Sequence, residues 1–224
     1  ASSPALHRRH PVSDEYICKA SEFVQNGGIW IIGPMTGYRT KEHTVHTDRC
    51  LSSLEELAGV RVKYFYPMSN TGAMGRLKEM SAPLVLHGCI LEPVEAESVG
   101  SIKGGLTPDY SFITEKKLGK GKIVLLGAMP NINLKEGQVL WRGIIEHYAD
   151  EAGIDDRFKA KEGTTVIFRT GEYEIVTAIN GNGEGGEYYL PRDGYEIFSA
   201  SQVSAGSRRL PPFGYETVIL GHKK

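Results

Sequence analysis

The stretch NGGIWIIGPMTG, residues 26–37, decides how the first half of this chain is read. Asn26, Gly27 and Gly28 are a helix stop, since successive residues tolerant of positive φ end a helix cheaply. Ile29–Ile32 is an unbroken apolar run of strand length, the pattern of a strand covered on both faces. Gly33, Pro34, Met35, Thr36 and Gly37 then form a tight turn. A strand running into a Gly-bounded turn is the setting of a nucleophile elbow, with Ser or Cys at the middle position. Here that position holds Met35, whose thioether has no proton to lose. Thr36, one place along, is a hydroxyl with no base identified beside it.

Reading outward from this stretch, Ser13 and Asp14 can cap a helix running to Gln25, with Tyr16, Ala20, Phe23 and Val24 on its apolar face. A polar loop, Tyr38 to Asp48, is followed by a second helix over about Asp48–Leu57 and an alternating strand from Val60 to Tyr66. Helix, strand, turn, helix and strand in this order is the rhythm of an α/β sheet with crossover helices. From Ala82 to Thr114 short β-rich pieces separated by Pro and Gly read as hairpins or a sheet extension. Then LGKGKIVLLGAMP brings a Gly-rich turn and a buried strand, Ile123–Leu126. An amphipathic helix follows, roughly Glu136–Ala152, with Leu140, Ile144 and Tyr148 in one stripe.

Beyond Asp155 only strands and turns are legible. Asn180–Gly186, NGNGEGG, has the chemistry of a hairpin loop. Short antiparallel strands over this length make a small β-sandwich or barrel. The expected division is residues 1–155 and 156–224, with the exposed Asp155–Asp156 as linker.

Composition narrows the function classes. The chain has 224 residues, 40% hydrophobic and 24% charged, with a formal net charge of -1. Nothing global attracts nucleic acid or an anionic membrane. No apolar run reaches the length of a membrane span, and the N-terminus lacks the apolar core of a signal peptide. Cys18, Cys50 and Cys89 are sparse and odd in number, which fits free thiols in a reducing compartment, by default the cytoplasm.

Several constellations could carry chemistry, and each has a plainer reading. His43 and His46, with Asp48 nearby, lack a third metal ligand, so a solvated loop is expected and no metal is assigned. Gly100–Gly105 and Gly119–Lys122 place Gly beside Lys but match no phosphate-binding spacing, and no cofactor is assigned. His87 and Cys89 share a strand face, yet Cys89 lies inside an apolar stretch, as a buried structural thiol does. Glu55, Glu56, Glu92, Glu95 and Glu97 yield no identifiable acid/base pair. Tyr64, Phe65, Tyr66, Tyr188, Tyr189, Tyr195, Phe213 and Tyr215 could stack on sugars, although cross-strand packing explains aromatics at period two.

FVQNGGIWIIGPMTGYRTKEHTVHTD, from Phe23, with LEELAGVRV ending at Val62, resembles the middle domain of glycoside hydrolase family 42 β-galactosidases. LGKGKIVLLGAMP, the helix after it and the tail closing in LPPFGYETVIL are similar to the rest of that domain and to the family's small C-terminal β domain. The resemblance implies a three-layer, flavodoxin-like or class I glutamine-amidotransferase-like α/β domain that mediates trimerisation, followed by an antiparallel β-sandwich. It implies that galactoside hydrolysis, by a retaining two-glutamate mechanism, belongs to a (β/α)8 barrel. Such a barrel needs about 250 residues, so none fits here and no catalytic residue carries over.

In that family the middle domain opens with further strands and a helix, whereas only Ala1–Pro11 precedes the first helix here. The α/β sheet is therefore expected to lack its first strands, and an incomplete sheet exposes an edge that favours self-association. The expected partners are copies of the chain, as a trimer, and a catalytic barrel through which any galactoside is engaged. Two other readings stay open. One is a divergent amidotransferase-like hydrolase using Cys89 or Cys50. The other is a carbohydrate-binding module over residues 158–224.

Overall fold

The Ser13 side chain accepts a hydrogen bond from the Tyr16 amide at 3.2 Å and starts helix α1 (Asp14–Gln25). Asn26 closes it, Gly27 turns the chain at φ +111°, and β1 (Ile29–Ile32) follows. The computed structural model describes residues 12–40, 42–154 and 159–221. The chain divides into two compact units, residues 1–154 and 155–224. The segment Ala1–Pro11 and the linker reading of Asp155 and Asp156 lie outside the described residues.

In the first unit the remaining elements are α2 (Ser53–Ala58), β2 (Val60–Pro67), β3 (Met74–Leu77), β4 (Met80–Val85), β5 (His87–Pro93), β6 (Glu97–Lys103), β7 (Ser111–Leu118), β8 (Gly121–Leu126), β9 (Met129–Pro130) and α3 (Lys135–Glu151). One nine-stranded sheet holds all the strands, in the order β1-β8-β7-β6-β3-β4-β9, with β5 branching from β7 and β2 pairing with β5. β1 and β8 are parallel, in the register Ile29↔Lys122 to Ile32↔Leu125, and the other pairs are antiparallel. The crossover rhythm read from sequence thus holds at one strand pair, and the hairpins of residues 74–118 build most of the sheet.

Period-two alternation along β8 makes the three layers. Ile123 and Leu125 are buried with Val24 of α1 and with Leu54 and Ala58 of α2. Val124 and Leu126 are buried with Leu140, Ile144 and Tyr148 of α3. Two departures from the sequence reading have clear causes. α2 begins at Ser53 rather than Asp48, because Ser52 sits at φ +54° and breaks the helical path. On α1 only Val24 is buried, while Tyr16 and Phe23 stay more than half exposed. Phe23 lies over Gly28, where an added Cβ would stand 2.2 Å from its ring.

Gly121 shows why GKGK is a turn. A Cβ there would lie 2.1 Å from the Gly28 carbonyl oxygen and 2.3 Å from that of Val24. Only glycine lets β8 begin so close to the end of α1.

The second unit contains β10 (Thr164–Arg169), β11 (Ile175–Asn180), β12 (Gly186–Leu190), β13 (Gly194–Glu196), β14 (Ser201–Val203), β15 (Gly206–Leu210) and β16 (Tyr215–Leu220). A five-stranded sheet, β10-β11-β16-β13-β14, and the pair β12-β15 enclose Val176, Ala178, Tyr188, Leu190, Leu210, Val218 and Leu220. Asn180–Gly186 is not a hairpin, since β11 and β12 belong to different sheets. The loop crosses between them, pinned by the buried Asn180 amide, which donates to the Asn182 and Pro211 carbonyls at 3.0 and 3.1 Å. Within the core, the Tyr188 hydroxyl donates to Glu216 at 2.6 Å, and Arg208 Nε donates to the same carboxylate at 2.8 Å.

Candidate functional site

The turn after β1 is closed by the Thr36 amide donating to the Gly33 carbonyl at 3.5 Å and the Tyr38 amide to the Met35 carbonyl at 3.2 Å. Met35 is held at φ +62°, a left-handed conformation uncommon for a long side chain. Gly37 is buried at φ +74°, and a Cβ on it would meet Leu54 Cδ1 at 2.7 Å. The rest of the motif folds back as a small clasp. The Tyr38 ring meets Phe65 of β2 edge-on, centroids 4.7 Å apart. Arg39 lies 5.7 Å over the Tyr38 ring and donates through Nη1 to the His43 carbonyl at 2.6 Å. Thr40 and Thr44 join their hydroxyls at 2.9 Å. No helix follows the turn directly, so no helix N-terminus faces position 35 to stabilise a thiolate or oxyanion.

Behind the turn lie the two less exposed thiols. Cys89 is fully buried in β5, and its amide donates to the Gly127 carbonyl at 2.6 Å. Burial pushes its thiol up to about 12, against a hydrogen bond from the Met35 backbone and with the Cys50 and Glu55 charges adding to the rise. Cys50 is also raised, by burial and then by Glu55. A thiol shifted upward is protonated and unreactive at neutral pH. His87 is exposed at the start of β5 while Cys89 is buried, so the structure does not bring this pair together. Iodoacetamide at pH 7.5 is therefore expected to label the exposed Cys18 first, Cys50 slowly and Cys89 only after unfolding. Peptide mapping of the labelled chain reads the order; early modification of Cys89 would overturn it.

Glu55 is the buried carboxylate of this region, 3% exposed. It accepts from the Leu51 amide at 2.9 Å and the Val62 amide at 3.0 Å, tying the start of α2 to β2. A cleft of about 520 Å³ opens beside it, with His46, Arg49, Cys50, Arg61 and Glu95 in its wall. Its charges are of both signs and partly paired, Arg49 with Glu56 at 3.2 Å and Glu95 with Lys116 at 2.7 Å. The Lys116 hydrogen bond, and then its charge, hold Glu95 below the ordinary carboxylate value.

The other sequence candidates are dispersed. His43 and Asp48 are exposed and His46 is half-buried; among the described residues no three His, Cys, Asp or Glu side chains gather into a metal-binding group. Gly100–Gly105 runs from β6 into a loop, with Gly104 and Gly105 at positive φ against Gly72 and Ala73. Glu92 pairs with Lys63 across the β2–β5 ladder at 3.0 Å. In the second unit Tyr188 is core, while Tyr189, Phe213 and Tyr215 are exposed, Tyr215 edge-on to Phe198 at 5.2 Å.

One constellation went unnoticed in the sequence. Lys122 of β8 pairs with Glu115 of β7 at 2.6 Å and with Glu151 of α3 at 2.7 Å, and the Tyr148 hydroxyl donates to Glu115 at 2.7 Å. Burial alone would raise Glu115, but the bonds from Lys122 and Tyr148, with the nearby Lys122 and His147 charges, bring it below its ordinary value. Burial likewise works against Lys122, and its two carboxylates reverse that and raise it. Burial and Glu115 also push the Tyr148 hydroxyl up. The signal available was a pair of opposite charges set diagonally on neighbouring strands, which becomes visible only once their register is known.

The comparisons agree with this architecture. A family model described as the beta-galactosidase trimerisation domain matches residues 4–155. Beta-galactosidase YesZ of Bacillus licheniformis is 38% identical over 223 residues, 99% of this chain and 33% of the relative. YesZ of Bacillus subtilis is 36% identical over 208 residues, 92% of this chain and 31% of the relative. The chain spans about a third of the length of these curated relatives. Among solved structures, a beta-galactosidase from Bacillus circulans sp. alkalophilus superposes with TM-score 0.78 at 14% identity, covering 95% of this chain and 32% of that one. Gan42B, a GH42 beta-galactosidase from G. stearothermophilus, gives 0.74 at 18% identity, over 93% of this chain and 30% of that one. These structures share the fold across both units. The chain belongs to the trimerisation-domain family of the glycoside hydrolase family 42 beta-galactosidases.

Proposed function

We propose that this chain is a non-catalytic assembly segment of a family 42 beta-galactosidase. Its first unit, residues 1–154, joins copies as a trimer, and its second, residues 155–224, is the accompanying β domain. One observation carries the reading: the model matching residues 4–155 is that of a trimerisation domain. In support, the described residues fold as an α/β unit and a β-sandwich, without the barrel that would carry two catalytic glutamates. Hydrolysis of terminal β-galactosides is then performed by a barrel on another segment, in the cytoplasm. Met35 occupies the place of a nucleophile without being one, in a turn that leads into the Tyr38–Phe65 clasp.

The test pairs activity with mass. With a chromogenic β-galactoside the chain is expected to give no turnover, and light scattering is expected to give three copies per particle. Turnover by the chain alone sinks the non-catalytic reading, and a strict monomer at high concentration sinks the assembly reading.

A further inference from the structure

The sequence contains three Asn-Gly pairs, Asn26-Gly27, Asn180-Gly181 and Asn182-Gly183. In such a pair the asparagine carboxamide is open to attack by the next backbone nitrogen, because glycine puts no Cβ in the way. The fold separates the three. At the end of α1, Asn26 keeps nearly helical angles, φ -83° and ψ 3°, and the Gly27 amide donates to the Val24 carbonyl at 2.9 Å. Asn180 is 2% exposed, and its carboxamide nitrogen donates to two carbonyls. The Gly181 amide donates to the Gly163 carbonyl at 2.8 Å. In both pairs the attacking nitrogen is committed through its own hydrogen bond.

Asn182 is arranged differently. Gly183 is exposed, and among the described residues its N–H has no acceptor. Asn182 Oδ1 accepts from the Glu184 amide at 3.1 Å, the side-chain turn that asparagine makes with its own backbone two residues on. The ring closed by this bond runs through both Asn182 Cγ and the Gly183 nitrogen, so the two atoms that would join are held within one tight turn. The Glu184 N–H also polarises the side-chain carbonyl and faces the oxygen on which negative charge develops during attack. The residue is fixed from behind as well, since its own carbonyl accepts from the Phe213 amide and from the Asn180 carboxamide, each at 3.0 Å.

We infer that Asn182 is a site of spontaneous modification, a slow deamidation that alters the second unit as the molecule ages. The Gly183 nitrogen attacks Asn182 Cγ, forming the N–Cγ bond of a succinimide. The Cγ–Nδ2 bond breaks, the Gly183 proton passes through solvent to the departing nitrogen, and ammonia leaves. Water then opens the succinimide at either carbonyl, giving aspartate or isoaspartate. Both products place a new negative charge beside Glu184. Isoaspartate also lengthens the main chain by one methylene at the residue whose carbonyl receives Phe213 and Asn180, which loosens the crossing between the two sheets of this unit. The chemistry is independent of the assembly reading.

Peptide mass spectrometry on the full chain tests it, after incubation in mildly alkaline buffer made with heavy-oxygen water, so that conversion during the incubation is marked. Asn182 should convert at least about tenfold faster than Asn26 or Asn180, the factor that one hydrogen bond of ordinary net strength imposes on the slower pairs. In urea the three rates should converge, because the difference lies in the fold. Gly183→Ala is accommodated, since a Cβ there meets nothing closer than the Phe213 ring at 3.7 Å, and it should slow Asn182 several-fold by crowding the attacking nitrogen. Hydrogen exchange at the Phe213 amide should be faster in the aged chain than in the fresh one. Conversion of Asn26 or Asn180 ahead of Asn182, an order that persists in urea, a rate unmoved by Gly183→Ala, or a Phe213 amide indifferent to ageing overturns the inference.

Discussion

Lys122→Met is expected to destabilise the first unit by about 3 kcal/mol, the cost of removing one member of a largely buried ion pair and stranding the other. Lys122 and Glu115 side chains are each only 14% exposed, so solvent screens their attraction weakly. Removing the ammonium leaves Glu115 with the Tyr148 hydroxyl as its remaining bonded partner, and frees the Glu151 end of α3 from β8. Trp30 and Trp141 both lie in the first unit, so their fluorescence during urea unfolding reports on this unit alone.

The effect also has a pH signature. Glu115 is depressed in the folded state, so its contribution is present above the unfolded carboxylate value, about 4.3, and is lost as pH falls through the lower folded value. Lys122 is raised, so its contribution is complete below its unfolded value, about 10.4, and is lost as pH rises through the higher folded value. The gap between wild type and Lys122→Met should therefore be widest between about pH 5 and pH 9 and narrow in acid. A gap that stays constant down to pH 3 would mean that the ion pair is not the source.

Glu55→Ala is the second large effect, expected to cost about 3 kcal/mol. It leaves the buried amides of Leu51 and Val62 without acceptors, at about 1–3 kcal/mol for each unsatisfied group. Glu55→Gln keeps one oxygen acceptor and should recover part of the loss. The placement of Glu55 explains its importance. Among the described residues β2 pairs only with β5, and their register shifts between Val62 and Phe65, so the carboxylate anchors β2 immediately before the irregularity. In Glu55→Ala, amide exchange at Val62 should accelerate more than at Leu91, which Val62 faces across the ladder. Equal acceleration at both would point to global unfolding rather than a lost local anchor.

The two effects differ in how far sequence reasoning could reach them. Leu140, Ile144 and Tyr148 were assigned to a buried stripe from their spacing, and they are buried. Ile123–Leu126 was legible as a strand from its apolar run, and Ser13 as a cap from its position. Such features depend on neighbours along the chain. Lys122 and Glu115 were not legible as a pair, because their meeting depends on the β7–β8 register, in which Lys122 lies opposite Lys117 and Glu115 opposite Val124. Glu55 was read only as one of several acids without an identifiable acid/base partner, since nothing in LEELAGVRV reveals that its carboxylate turns inward to two amides.

The sequence by itself determined the helix stop at Asn26–Gly28, the strand Ile29–Ile32, the α/β character of the first unit and the all-β character of the second. These follow from local propensity and hydrophobic period, and motif resemblance added the family. Tertiary structure alone decided that β1 pairs in parallel with β8, that hairpins rather than crossovers build most of the sheet, and that Asn180–Gly186 crosses between two sheets. Strand pairing joins residues far apart in the chain, and period-two patterns specify which face a side chain takes without specifying which strand lies beside it.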